Sequence, residues 1–148
     1  MAFRFRLQAL LDLRIRKRDA VRQDLADALA SQRELDTRRN QMADDIHRHE
    51  QEVRQMGSGR IDINRLNRQR HYLAHLGQNL RQSEQEVTEA GKLVEQRQAE
   101  LATAEQEVRL LEKLRDKQSE EYYFNQEKKA ELQRDEAWLN TRPIEETS

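Results

Sequence analysis

Apolar residues stand at unbroken seven-residue steps through the second half of the chain: Leu66, Leu73, Leu80, Val87, Val94, Leu101 and Val108. At a three-residue offset fall Leu76, Ala90, Ala104 and Leu111. This is the period of a helix that lies against another helix along its length. The first half has its own pair of rows. One is Leu7, Arg14, Val21, Ala28, Leu35, Met42, His49 and Met56; the other is Leu11, Arg18, Leu25, Gln32, Arg39, Ile46 and Val53. This seam is the weaker of the two, with Arg14, Arg18, Gln32 and Arg39 among its members. In a thin helix pair such long side chains keep their polar heads in water.

Between the two patterns lies Met56-Gly57-Ser58-Gly59-Arg60. Two glycines in three residues cost about 2 kcal/mol if kept helical, which predicts a turn. Asp62 is placed as the N-cap of a new helix, with Ile61 and Leu66 positioned for a hydrophobic staple. Pro143 predicts where that helix ends. The expected fold is all-α, a long two-helix antiparallel coiled-coil hairpin forming a single domain over 1–148. Its helices run from about 3 to 55 and from about 62 to 141, with the turn at 56–61 and a short tail over 142–148.

Folding about the glycines sets residue i opposite roughly 118 − i, so Arg14 faces Ala104 and Phe3 faces Arg115. The rod is then ~120 Å long. About 25 residues of the second helix, Lys117 to Thr141, overhang, carrying Tyr122, Tyr123, Phe124 and Trp138. Two readings of these aromatics stand: packing against Phe3 and Phe5, or a docking surface. Gly77 and Gly91, two heptads apart beside the seam, read as a shallow groove or as tolerated substitutions.

Composition narrows the class. The chain is 37% charged and 35% hydrophobic, too lean in apolar residues for a thick core. Its Glu, Gln, Arg, Leu and Ala favour helix, and its single proline and four glycines argue against a disordered tract. No cysteine is present, in accord with a reducing compartment. The first residues lack the apolar run of a secretion signal, and no stretch has the ~20 apolar residues of a membrane span. A cytoplasmic protein without membrane insertion is expected.

Candidate chemistry is sparse. Gly57-Ser58-Gly59 lacks the spacing and the lysine of a phosphate-binding loop. His71 and His75 have a metal-ligand spacing, but the heptad frame turns His47, His71 and His75 outward and puts His49 in the seam. A two-helix rod offers no water-excluding pocket. No catalytic residue, metal or cofactor is expected. Charge is uneven on a net of −1: residues 1–22 carry seven basic side chains against Asp12 and Asp19. That short basic stretch is a small footprint for nucleic acid and fits an acidic protein partner better.

The opening Phe3-Arg4-Phe5-Arg6-Leu7-Gln8-Ala9-Leu10-Leu11-Asp12-Leu13-Arg14 resembles the start of the FliJ family, coiled-coil proteins of the bacterial flagellar type III export apparatus. The stretch Gly57 to Leu76, with Asn64-Arg65 and Tyr72-Leu73, is similar to that family's hairpin tip. Leu111-Glu112-Lys113-Leu114-Arg115, Glu121-Tyr122 and Asp135-Glu136-Ala137 look like its C-terminal pattern.

The resemblance implies a stalk like the central shaft of rotary ATPases, a monomer when isolated. Its implied partners are the hexameric flagellar export ATPase, the membrane export gate protein and export chaperones. The implied location is the inner face of the cell membrane at the flagellar base. Gate contact is implied for Tyr72 and Leu76, while Asn79 and Ser83 depart from the family pattern further along that face. Contact with the ATPase ring is implied for Phe3, Arg4, Phe5, Arg6, Arg14, Arg16, Arg18 and Tyr122, the arginines steering toward an acidic opening. The alternatives are the equivalent stalk of a virulence secretion system, a parallel homodimeric scaffold and a basic-tailed nucleic-acid binder.

Overall fold

A computed structural model describes residues 2–57 and 62–141. They form two helices, α1 (Gln8–Met56, 49 residues) and α2 (Ile63–Thr141, 79 residues), with no strand among the described residues. The fold is all-α. The chain divides into two compact units, Asp19–Thr103 and Met1–Arg18 with Ala104–Ser148. Ser58, Gly59, the staple residue Ile61, and Pro143 with the rest of the expected tail lie outside the described residues.

In the unit Asp19–Thr103, α1 and α2 run antiparallel. Gln32 Nε2 comes within 3.6 Å of where a Cβ on Gly91 would sit, and the His49 and Tyr72 rings are 5.1 Å apart. Every expected seam position of this unit is covered at least partly, from Val21 to Met56 on α1 and from Leu66 to Leu101 on α2. Most remain half-buried; Ala28 and Val94, each 6% exposed, are its buried apolar residues. A two-helix layer explains this, because each side chain is covered by only one neighbouring helix.

Asp62 caps α2 as expected. Its Oδ1 accepts the backbone N–H groups of Asn64 (3.1 Å) and Arg65 (3.4 Å), and its carbonyl accepts from Leu66 (2.9 Å). The Asn64 and Arg65 N–H groups are ones that no helical carbonyl can reach. Asp62→Ala should destabilise this helix start by about 0.5–2 kcal/mol. Faster amide exchange at Asn64 and Arg65 is the check.

The other unit pairs residues 2–18 with the stretch of α2 from Ala104 onward. Its core is Phe5, Leu11 and Val108, flanked by Phe3, Ile15, Leu111 and Leu114. Here the structure differs from the expected helix start near residue 3. Residues 2–7 are not helical, and Gln8 N–H donates to Phe5 O (3.2 Å) while Leu11 N–H donates to Leu7 O (2.9 Å). Burying a phenylalanine side chain is worth roughly 1.5–3 kcal/mol. The first N–H groups of a helix lack helical partners in any case, so the chain loses little by leaving the helix to bury Phe5. Leu7, expected in the seam, is 38% exposed, and Phe5 at 6% takes the interior place.

The register also differs. Arg14 lies 3.3 Å from Glu107 rather than beside Ala104, and Phe3 stacks at 5.7 Å on Tyr122 rather than near Arg115. In the other unit the facing numbers, 32 with 91 and 49 with 72, add to 123 and 121. The seam rows explain the shift. When facing numbers add to 122, Ala28 meets Val94 and Leu35 meets Val87 in one unit, and Leu11 meets Leu111 in the other. At 118 one row of each helix faces positions outside the partner's seam, and apolar burial is lost.

Candidate functional site

No group of three or more His, Cys, Asp and Glu side chains among the described residues is placed to hold a metal. The surface grooves on α2 at Arg81, Gln85 and Thr88, and on α1 at Arg33, Thr37 and Gln41, are each lined by one helix alone. Side chains on one face of a single helix do not converge on a bound molecule as catalysis requires.

The residues expected at the ATPase fall into four groups, all in the unit that holds both 2–18 and 104–141. Arg4, Arg6 and Arg16 are exposed. Arg14 and Arg18 are half-buried; the Arg14 guanidinium reaches Glu107 Oε2 at 3.3 Å, and Lys17 Nζ reaches the same oxygen at 3.7 Å. Glu107 thus ties two cations of α1 to α2, a partly exposed link worth at most about 1 kcal/mol. Phe5 is interior, so its ring is held for packing and not presented to a partner.

Phe3 and Tyr122 cover one another, with ring planes 51° apart, and Tyr122 in turn meets Tyr123 edge-on at 5.4 Å. The four aromatics of the expected overhang are therefore split. Tyr122 packs on the first residues, whereas Tyr123, Phe124 and Trp138 are 52%, 57% and 61% exposed. Ser119 and Tyr122 are still half-covered, so the fully exposed stretch begins at Tyr123 rather than Lys117.

The residues expected at the export gate lie in the other unit. Tyr72 is 46% exposed and meets the His49 ring of α1 edge-on at 78°. Leu76 is half-buried in the seam. Tyr72 is thus displayed at the surface and braced from behind by a seam residue. His49 Nδ1 sits 3.4 Å from Glu52 Oε2 but without hydrogen-bond geometry. Asn79 Nδ2 and His75 Nε2 are 3.4 Å apart on the α2 surface. His47, His71 and His75 are exposed, the placement the heptad frame predicts.

Ser83 is 3% exposed, and its Oγ has no hydrogen-bond partner. A buried hydroxyl without a partner weakens the seam locally. Gly77 and Gly91 leave room for a side chain. A Cβ on Gly77 meets nothing within 4 Å, and one on Gly91 makes an ordinary contact with Gln32. Gly77→Ala should accordingly stabilise the helix by about 0.5–1 kcal/mol. A raised urea midpoint is the check.

No described helix is long and apolar enough to cross a membrane. No curated protein and no solved structure matches the chain. The family model described as Flagellar FliJ protein matches residues 3–141, from the start of the aromatic N-terminal segment to the last residue of α2. The chain therefore belongs to the FliJ family, components of the flagellar export apparatus.

Proposed function

We propose that this protein acts as a stalk of the flagellar export apparatus, promoting assembly and activity of the hexameric export ATPase and linking it to the membrane export gate. It also escorts export chaperones, working on the inner face of the cell membrane. The family match over residues 3–141 carries this reading. Two features support it. Long paired helices without a converging site suit a part that transmits position rather than one that turns over a substrate. Arg4, Arg6 and Arg16 form an exposed cationic group that would steer the chain toward an acidic ring opening. On the gate side, Tyr72 offers the accessible contact, and Leu76 supports it from the seam.

The test is binding to the purified export ATPase. Replacing Arg4, Arg6 and Arg16 together by glutamine leaves the core intact, since all three are exposed. Three exposed charges at a few tenths to 1 kcal/mol each predict binding weakened about fivefold or more at low salt. The salt dependence should flatten as well. Binding that is unchanged and insensitive to salt would refute the steering role.

A further inference from the structure

From Tyr123 to Thr141 every residue of α2 is exposed, yet the segment is not evenly polar. The covered face of α2 in this unit steps through Val108, Leu111, Arg115, Ser119 and Tyr122. Continued at the same spacing, that face reaches Gln126, Ala130, Gln133 and Ala137, none of them large and apolar. The large apolar residues gather elsewhere. Phe124 lies two residues beyond Tyr122, which is about 200° around the helix, and Leu132, Trp138 and Leu139 fall on the same side as Phe124. They are 57%, 61%, 61% and 60% exposed. The end of α2 is thus an amphipathic helix in its own right, with its apolar stripe turned away from α1. More of α1 would not cover it.

The charges within the stripe say what does. Lys128, Glu131 and Asp135 lie among the apolar residues, and Lys128 Nζ rests 4.9 Å from the centre of the Phe124 ring. Set beside a second copy running in the opposite direction, with the two-fold axis between Glu131 and Leu132, the stripe complements itself on either side of the axis, while Glu131 falls opposite Leu132 at the axis and Trp138 opposite Asn125. Phe124 meets Leu139, and Lys128 meets Asp135, each pair occurring twice by symmetry. In a parallel pair Lys128 would face Lys128, Glu131 would face Glu131 and Asp135 would face Asp135, which is repulsive. Residues 123–141 carry three basic and four acidic side chains, so two copies do not repel as wholes.

We propose that the exposed end of α2, residues 123–141, is a self-association surface that pairs antiparallel with the same segment of a second copy through Phe124, Leu139 and reciprocal Lys128–Asp135 contacts. Two helices of this length, about 28 Å, bury on the order of 1,000 Å². That is the low end for specific contacts, so the dimer is weak and dilute protein is monomeric.

Sedimentation equilibrium of the full chain over a concentration series tests this. The mass should rise from one chain towards two. Lys128→Asp should weaken the dimer about tenfold or more, by turning two attractive contacts repulsive. The exchanged variant carrying Lys128→Asp with Asp135→Lys should restore it. These positions are exposed, and an unchanged far-ultraviolet spectrum confirms that the helices persist. A chain that stays monomeric throughout the series overturns the proposal, as does association indifferent to Lys128→Asp or not restored by the exchange. A monomeric chain whose binding to the export ATPase is lost in Lys128→Asp would assign the stripe to that partner instead, and would equally overturn it.

Discussion

Leu11→Ala should lower the stability of the unit containing residues 2–18 and 104–141 by about 2–5 kcal/mol. Leu11 is fully enclosed, at 0% exposure, between Phe5 and Val108. Truncation removes buried methyl and methylene groups and leaves a cavity that two stiff helices close only partly. Urea unfolding followed by circular dichroism, with amide exchange read along α1 and α2, locates the loss. Leu13→Ala is the control: Leu13 is 58% exposed, two residues away on the same helix, and its truncation should change stability by no more than about 0.5 kcal/mol. Equal losses from the two variants would contradict the core described here.

Phe5→Ala should detach the N-terminal segment. The ring is the anchor that holds residues 2–7 out of helical geometry, and the Phe5 backbone carbonyl accepts the N–H of Gln8. Losing it should cost about 2–3 kcal/mol, close to the burial of one phenylalanine side chain, because a released segment sheds its remaining contacts rather than enduring a cavity. Phe3 should leave Tyr122 at the same time, and exchange at the Gln8 and Leu11 amides should quicken. Phe3→Ala, acting on a half-covered ring, should do less. Unchanged exchange at Gln8 in Phe5→Ala would show that the segment is held by something else.

These two residues mark where the sequence could be read and where it could not. The seam rows follow from a seven-residue period, which depends only on helical geometry, so Leu25, Ile46, Leu80 and Val94 are found where the spacing puts them. Even the polar members Gln32 and Arg39 are half-covered as expected. The Asp62 cap was legible too, because a carboxylate before an apolar-periodic run has a local use. The helix start was not. Heptads assign Leu7 to the seam whether or not the chain is helical there, and only the tertiary gain from Phe5 decides against it.

Register is the second failure. Counting outward from the glycines gives a pairing near 118, but the turn tolerates several pairings while the seam tolerates few. Requiring both rows of both helices to meet would have given 122, and with it the Arg14–Glu107 link; that register sets Phe3 opposite Ser119, and the ring reaches Tyr122, three residues on, because residues 2–7 are not helical. Ser83 sits on the second row of α2, seven residues beyond Leu76, and its burial follows from that place. The surface contacts are less legible. Exposed arginines and a displayed Tyr72 carry no signature of one partner, and the family match concerns the chain as a whole.

The functional claim rests most directly on the export ATPase itself. Hydrolysis and oligomeric state should be measured together, with the purified ATPase alone and with this chain added at increasing ratio. The chain should shift the ATPase toward its ring and raise hydrolysis, saturating near one chain per hexamer. An ATPase whose assembly and rate are the same with and without the chain would contradict that claim.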